Sequence, residues 1–128
     1  MSAKNKIMIV DDSSIIIKLI QGFLKKYNIE IVGTAVDGKE AIDVFKKTLP
    51  DIVTLDITMP EIDGLTVLEE MLKIKASTKI VVISALSDNA TALKALKLGA
   101  KDFIPKPFKE ENLKPVLDRL VNKETVSV

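Results

Sequence analysis

The chain contains no cysteine and no histidine. The first absence excludes disulfide bridges and thiolate chemistry, and it fits a reducing compartment. The second excludes histidine general-base catalysis, the usual histidine metal sites and a phosphohistidine carried by this chain itself. Arg119 is the only arginine, and the lysines are spread along the sequence. With a formal net charge of +1, there is no overall field to recruit nucleic acid or an acidic membrane. No apolar run is long enough to span a bilayer, and Met1–Lys6 has no signal-peptide apolar core. Gly-x-x-x-x-Gly-Lys-Ser/Thr and Gly-x-Gly-x-x-Gly loops are both missing, which removes the common nucleotide-binding motifs. The expectation is a cytoplasmic protein that contacts neither nucleic acid nor membrane.

What is present is enough for one globular domain: 128 residues, 47% hydrophobic and 29% charged. The core is expected over about residues 5–122, with a short polar tail at 123–128. The periodicity alternates in type along the chain. Ile7–Val10, Glu30–Val36, Ile52–Leu55, Lys79–Ser84 and Asp102–Pro105 read as strands. Between them, helices are expected to turn inward Ile16, Leu19, Ile20, Phe23 and Leu24, then Ala41, Val44 and Phe45, then Leu65, Leu68 and Leu72, then Ala92, Leu93 and Leu96. A last helix carries Leu113, Val116, Leu117 and Leu120. Ser13 or Ser14, Asp37 with Glu40, and Ser87 or Asp88 supply caps, and Gly99 a stop. Pro115 conflicts with a helix that starts at Lys109. A later start capped by Asn112, or a kink, would resolve it. Continuous apolar strands joined by helical crossovers give an α/β fold with a parallel sheet covered on both faces.

Four polar positions interrupt this pattern at the ends of apolar runs: Asp11-Asp12, Asp56, Ser84 and Lys106. Asp56 is followed by a turn through Pro60 to Asp63-Gly64. Each has an ordinary explanation by itself, as a helix cap, a turn residue, a loop hydroxyl or a surface lysine. Their recurrence after strands one, three, four and five is harder to explain that way. In a doubly wound sheet, ligands bind beyond the carboxyl ends of the strands. Three carboxylates gathered there repel one another and call for a hard divalent cation; Mg²⁺ suits one or two carboxylates plus a phosphoryl oxygen. Lys106 and the Ser84 hydroxyl can meet other phosphoryl oxygens, and Asp56 can act as nucleophile, since carboxylates form acyl phosphates. A cis bond at Lys106-Pro107 would be compatible with an inward lysine.

The pieces Ile9-Val-Asp-Asp12, Asp51-Ile-Val-Thr-Leu-Asp-Ile-Thr-Met-Pro60, Asp63-Gly64, Ser84-Ala85 and Gly99-Ala-Lys-Asp-Phe-Ile-Pro-Lys-Pro-Phe108 resemble the receiver domain of bacterial two-component response regulators. The likeness runs over nearly the whole chain and is closest to the stand-alone, CheY-like chemotaxis branch. It implies a flavodoxin-like five-stranded parallel sheet in the order 2-1-3-4-5 with five helices. It implies that Asp56 accepts a phosphoryl group from a phosphohistidine on a separate, CheA-like histidine kinase. Asp11, Asp12, Asp56 and the backbone carbonyl of Thr58 would hold Mg²⁺, and Lys106 and Ser84 would contact the phosphoryl group. Ser84 and Phe103 would form a switch that changes a surface built from the fourth helix, fifth strand and fifth helix. Thr58 and Leu86 stand where the family tunes dephosphorylation. The protein would then signal rather than turn over a substrate.

With only a polar tail after the last helix, a stand-alone regulator read by a flagellar motor switch protein and acted on by a phosphatase is the leading expectation. A phosphorelay intermediate feeding a histidine phosphotransfer protein, or a receiver from a longer regulator, remains open. A Mg²⁺-dependent aspartyl phosphatase of the haloacid-dehalogenase type is the alternative from another class. That type carries a second aspartate two residues after the nucleophile, where this chain has Thr58.

Overall fold

The computed structural model describes residues 5–58, 63–85 and 89–121. Five strands alternate with five helices: β1 (Asn5–Val10), α1 (Ser14–Leu24), β2 (Ile29–Ala35), α2 (Gly38–Thr48), β3 (Ile52–Asp56), α3 (Gly64–Ile74), β4 (Lys79–Ser84), α4 (Asn89–Lys97), β5 (Asp102–Pro105) and α5 (Glu110–Leu120). The strands form one sheet in the order β2-β1-β3-β4-β5, and every neighbouring pair is parallel. This is the order implied by the resemblance.

Alternation along the strands sorts the core into two layers. Met8, Val10, Val53, Leu55, Ile80 and Val82 face a cluster completed by α2 and α3, with Ala95 of α4. Ile7, Ile9, Ile52, Val81, Ile83 and Ile104 face the other side, under α1 and α5. Burial on both sides explains why the strands read as unbroken apolar runs. Register Val10↔Leu55 and Asp56↔Ile83 levels the strand ends. Their polar successors therefore emerge side by side.

Local chemistry sets the helix starts. Ser13 Oγ accepts from Ile16 N–H at 3.3 Å, and Asp37 Oδ1 accepts from Glu40 N–H at 2.8 Å. Glu40 Oε1 reaches back to the N–H of Val36 at 2.8 Å, one residue before the cap. Gly64 opens α3 because a Cβ there would lie 2.2 Å from the Ile57 Cα. Gly99 ends the α4 segment with φ +118°, a conformation L side chains rarely adopt.

Three expectations are corrected. On α1 Ile17, Ile20 and Leu24 are buried and the expected Ile16 and Phe23 pack partly buried against the same layer, while Leu19 is exposed. The run Ile15-Ile16-Ile17 offers several apolar stripes, and packing selects the one centred on Ile17. On α4 only Ala95 is buried, and Leu93 and Leu96 are exposed. That helix packs mainly on β5 at the sheet edge, so only a narrow stripe is covered. The last helix begins at Glu110, not after Asn112. Asn112 Oδ1 instead accepts from the Lys109 N–H at 2.7 Å and closes the first turn. Pro115 then lies inside α5 on its exposed side, where water can satisfy the carbonyl that the missing N–H would have met. The suggested caps Ser87 and Asp88, together with Leu86, Pro60, residue 122 and the 123–128 tail, lie outside the described residues.

Candidate functional site

The four strand ends converge as the sheet order requires. Asp11 follows β1, Asp56 ends β3, Ser84 ends β4, and Lys106 follows β5. Asp11 and Asp56 are each 1% exposed and Ser84 is fully buried. Asp12, in contrast, is exposed. Lys106 Nζ lies 2.9 Å from Asp11 Oδ2 and 3.2 Å from Asp56 Oδ2. Its backbone N–H donates to the Ser84 carbonyl at 2.8 Å, which fixes the lysine beside β4. The Lys106–Pro107 bond is cis.

Turn chemistry orients the carboxylates. Asp11 Oδ1 accepts from Ser13 N–H at 2.9 Å, and Asp56 Oδ1 accepts from Thr58 N–H at 2.8 Å. Both are the aspartate-to-residue-i+2 bond that this side chain makes readily. Asp63 Oδ1 does the same for Leu65 N–H at the start of α3. The Thr58 hydroxyl adds a second bond to Asp56 Oδ1. The sequence places Thr58 as a backbone-carbonyl ligand and at a position that tunes dephosphorylation, but does not foresee this bond from its hydroxyl to Asp56. The signal available was a hydroxyl two residues after a strand-end aspartate.

Burial pushes the Asp11 carboxyl above its ordinary range, and the charge of Asp56 adds to this, against the lowering effects of Lys106 and the Ser13 N–H. For Lys106 burial works downward, but the bonds and charges of Asp11 and Asp56 outweigh it and the ammonium is held above its usual value. The pocket thus holds an excess of negative charge that one lysine only partly offsets. Asp11, Asp12 and Asp56 each offer an oxygen within 4.8 Å of the others. An all-oxygen acidic donor set of this kind fits a hard divalent cation such as Mg²⁺.

Phe103 is half-buried on β5, opposite Val82, and packs against the core layer of α2 and α3. It lines a cavity of about 300 Å³ with Ile104, Pro105 and Val116, among others. Asp102 beside it accepts from the Phe103 N–H at 2.8 Å and pairs with Arg119 of α5. Among the described residues, no helix is long and apolar enough to cross a membrane.

Comparison with known proteins agrees with this arrangement. Residues 7–118 match the response regulator receiver domain family. The chain is 39% identical over 115 residues to the chemotaxis protein CheY of Thermotoga maritima, covering 90% of this chain and 96% of that one. It is 38% identical over 118 residues to the chemotaxis protein CheY of Bacillus subtilis, covering 92% and 98%. A chain in the crystal structure of the CheX–CheY–BeF3–Mg²⁺ complex from Borrelia burgdorferi superposes with a TM-score of 0.84 at 36% identity, over 92% of this chain and 90% of that one. Sheet order, converging strand ends and sequence agree: the chain belongs to the response regulator receiver domain family.

Proposed function

We propose that this protein is a CheY-like response regulator of a two-component pathway, acting in chemotaxis, with Asp56 as its phosphoacceptor. The observation that carries the proposal is the position of Lys106 Nζ between two buried carboxylates, Asp11 and Asp56, at 2.9 and 3.2 Å. A half-buried cation facing a buried acidic pair at strand ends suits a phosphoryl group, whose negative oxygens need a positive partner.

Mg²⁺, held by Asp11, Asp12, Asp56 and the carbonyl of Thr58, would neutralise charge on the incoming phosphoryl oxygens. The protein's own groups do the rest. One oxygen of Asp56 attacks the phosphorus of a phosphohistidine on a partner kinase of the CheA type. The P–N bond breaks, and the imidazole leaves with the electron pair and takes up a proton. Lys106 meets one phosphoryl oxygen and the Ser84 hydroxyl another. Movement of Ser84 toward the phosphoryl group then lets the Phe103 ring turn inward. The α4-β5-α5 surface changes, and a reader such as a flagellar motor switch protein binds it. An aspartyl phosphatase is disfavoured: its general acid position is Thr58, whose hydroxyl is bonded to Asp56.

Acetyl phosphate with Mg²⁺ should add one phosphoryl group, read by intact mass, and Asp56→Asn should abolish it. Full labelling of that variant would remove Asp56 from the role. Pull-downs of phosphorylated and unphosphorylated protein against motor-switch and histidine-phosphotransfer partners separate the chemotaxis output from a phosphorelay.

A further inference from the structure

A second cavity, of about 320 Å³, adjoins the acidic cluster and is lined by Ile16, Ala85, Lys106, Pro107 and Phe108. Its walls come from α1, from the residue after β4, and from the turn between β5 and α5. Among the described residues, four of the five lining side chains are apolar, and the fifth belongs to both sites. Lys106 lines the cavity while its ammonium lies in the acidic pocket, 2.9 Å from Asp11 and 3.2 Å from Asp56. Ala85 directly follows Ser84 and is exposed, so the cavity opens to solvent beside the site. A volume near 300 Å³ is at the small end of small-molecule sites, and such sites are mostly apolar with a few polar anchors.

A phosphoryl donor to Asp56 has two parts with opposite needs. Its phosphoryl group requires the cation and hydroxyl of the acidic pocket. Its leaving group must be held close by, and the adjoining cavity offers apolar surface with no carboxylate among the described residues that line it. We infer that this cavity is a leaving-group subsite that takes the apolar part of a small acyl phosphate, an aromatic acyl group in particular, and so sets which small donors phosphorylate the protein fastest. The inference rests on Asp56 being the phosphoacceptor. In the step, an Asp56 oxygen bonds to phosphorus and the bond from phosphorus to the acyl oxygen breaks. The acyl group departs as its carboxylate, so benzoyl phosphate yields benzoate, with no net proton or electron change.

The test compares labelling rates with benzoyl phosphate and acetyl phosphate, each with Mg²⁺, in the wild-type protein and in Ala85→Leu, whose larger side chain occupies the cavity. Comparing the ratio of rates across the two proteins cancels the intrinsic reactivity of the donors. The benzoyl-to-acetyl ratio should fall about tenfold in Ala85→Leu, the scale on which an apolar pocket discriminates, while acetyl phosphate labelling stays within about twofold. That retained labelling also shows the variant folded. A second measurement needs no turnover: benzoate, but not acetate, should shift the methyl resonances of Ile16 and Ala85 in the wild-type protein. An unchanged ratio, or equal effects of benzoate and acetate, would overturn the subsite. Failure of the wild-type protein to label with either donor would instead overturn the assignment of Asp56.

Discussion

Thr58 donates twice to a single oxygen of Asp56, from its backbone N–H at 2.8 Å and from its hydroxyl, while Lys106 takes the other oxygen at 3.2 Å. The carboxylate is held on both sides before any donor arrives. Thr58→Val keeps the shape of the side chain and deletes only the hydroxyl. A hydrogen bond to a charged acceptor contributes about 1.5–3 kcal/mol, and part of that is given up when Asp56 becomes an acyl phosphate whose carbonyl oxygen is uncharged. Labelling by acetyl phosphate should therefore quicken in Thr58→Val, by up to about tenfold. A slower rate at equal Mg²⁺ would mean that the hydroxyl assists transfer.

Asp11 gives a pH-dependent prediction with a defined sign. Its carboxyl is raised above 3.8 in the folded protein, first by burial and then by neighbouring charge. A raised acid contributes stability that is present below the unfolded value and lost as pH rises through the folded one. Asp11→Asn keeps an acceptor for the Ser13 N–H and removes that loss. Without divalent cation, urea midpoints should show the variant more stable than wild type at pH 7, with the gain vanishing below pH 3.8. Added Mg²⁺ should reverse the order, raising the wild-type midpoint with concentration as a ligand of the native state does. Equal Mg²⁺ responses would separate Asp11 from the cation.

Tyr27 ties the turn after α1 to α5 by donating to Asp118 Oδ1 at 3.0 Å. Burial, then the bond and charge of Asp118, raise its hydroxyl to about 12. The associated stability is complete below pH 10 and is lost as pH rises toward 12. Tyr27→Phe should lose about 0.5–1.5 kcal/mol at pH 7, the net worth of one hydrogen bond. Because Tyr27 is the only tyrosine and there is no tryptophan, tyrosinate absorbance follows this residue alone. A midpoint at the ordinary value of 10 would show that the bond does not persist in solution.

Gly64→Ala tests the packing beneath the site. The added Cβ would meet backbone, the Ile57 Cα at 2.2 Å, so it cannot be relieved by a side-chain rotation. A loss of about 1–3 kcal/mol is expected from overpacking. Ile57 follows Asp56 directly, so acetyl phosphate labelling should also slow. Normal labelling with lowered stability would show that the strain is absorbed by α3 alone.

The sheet and most of the site were legible because both depend on strand ends. A parallel sheet buried on two faces writes its strands as apolar runs, and the first polar residue after each run marks its carboxyl end. Asp11, Asp56, Ser84 and Lys106 were found in this way, and the structure brings them together. Helix faces were less legible where apolar residues are in excess. Ile15-Ile16-Ile17 fits more than one inward stripe, and Leu93 and Leu96 follow helical spacing on a helix that is barely covered. Pro115 misled for another reason: its cost in a helix depends on whether water reaches the freed carbonyl, which no local pattern reveals. The hydroxyl of Thr58 was overlooked because its partner is set by the turn after β3 rather than by periodicity.

Strand β5 has four residues and lies at the sheet edge, hydrogen-bonded to β4 alone. Within it Phe103 packs into one core layer and Ile104 into the other, and Lys106 follows immediately after. A pull on the lysine ammonium is therefore applied to the least anchored strand of the sheet. Shifting it disturbs a single ladder of backbone bonds, yet it is felt on both sides of the molecule. Among the described residues, the one positive charge that meets Asp11 and Asp56 hangs directly from the end of the shortest strand.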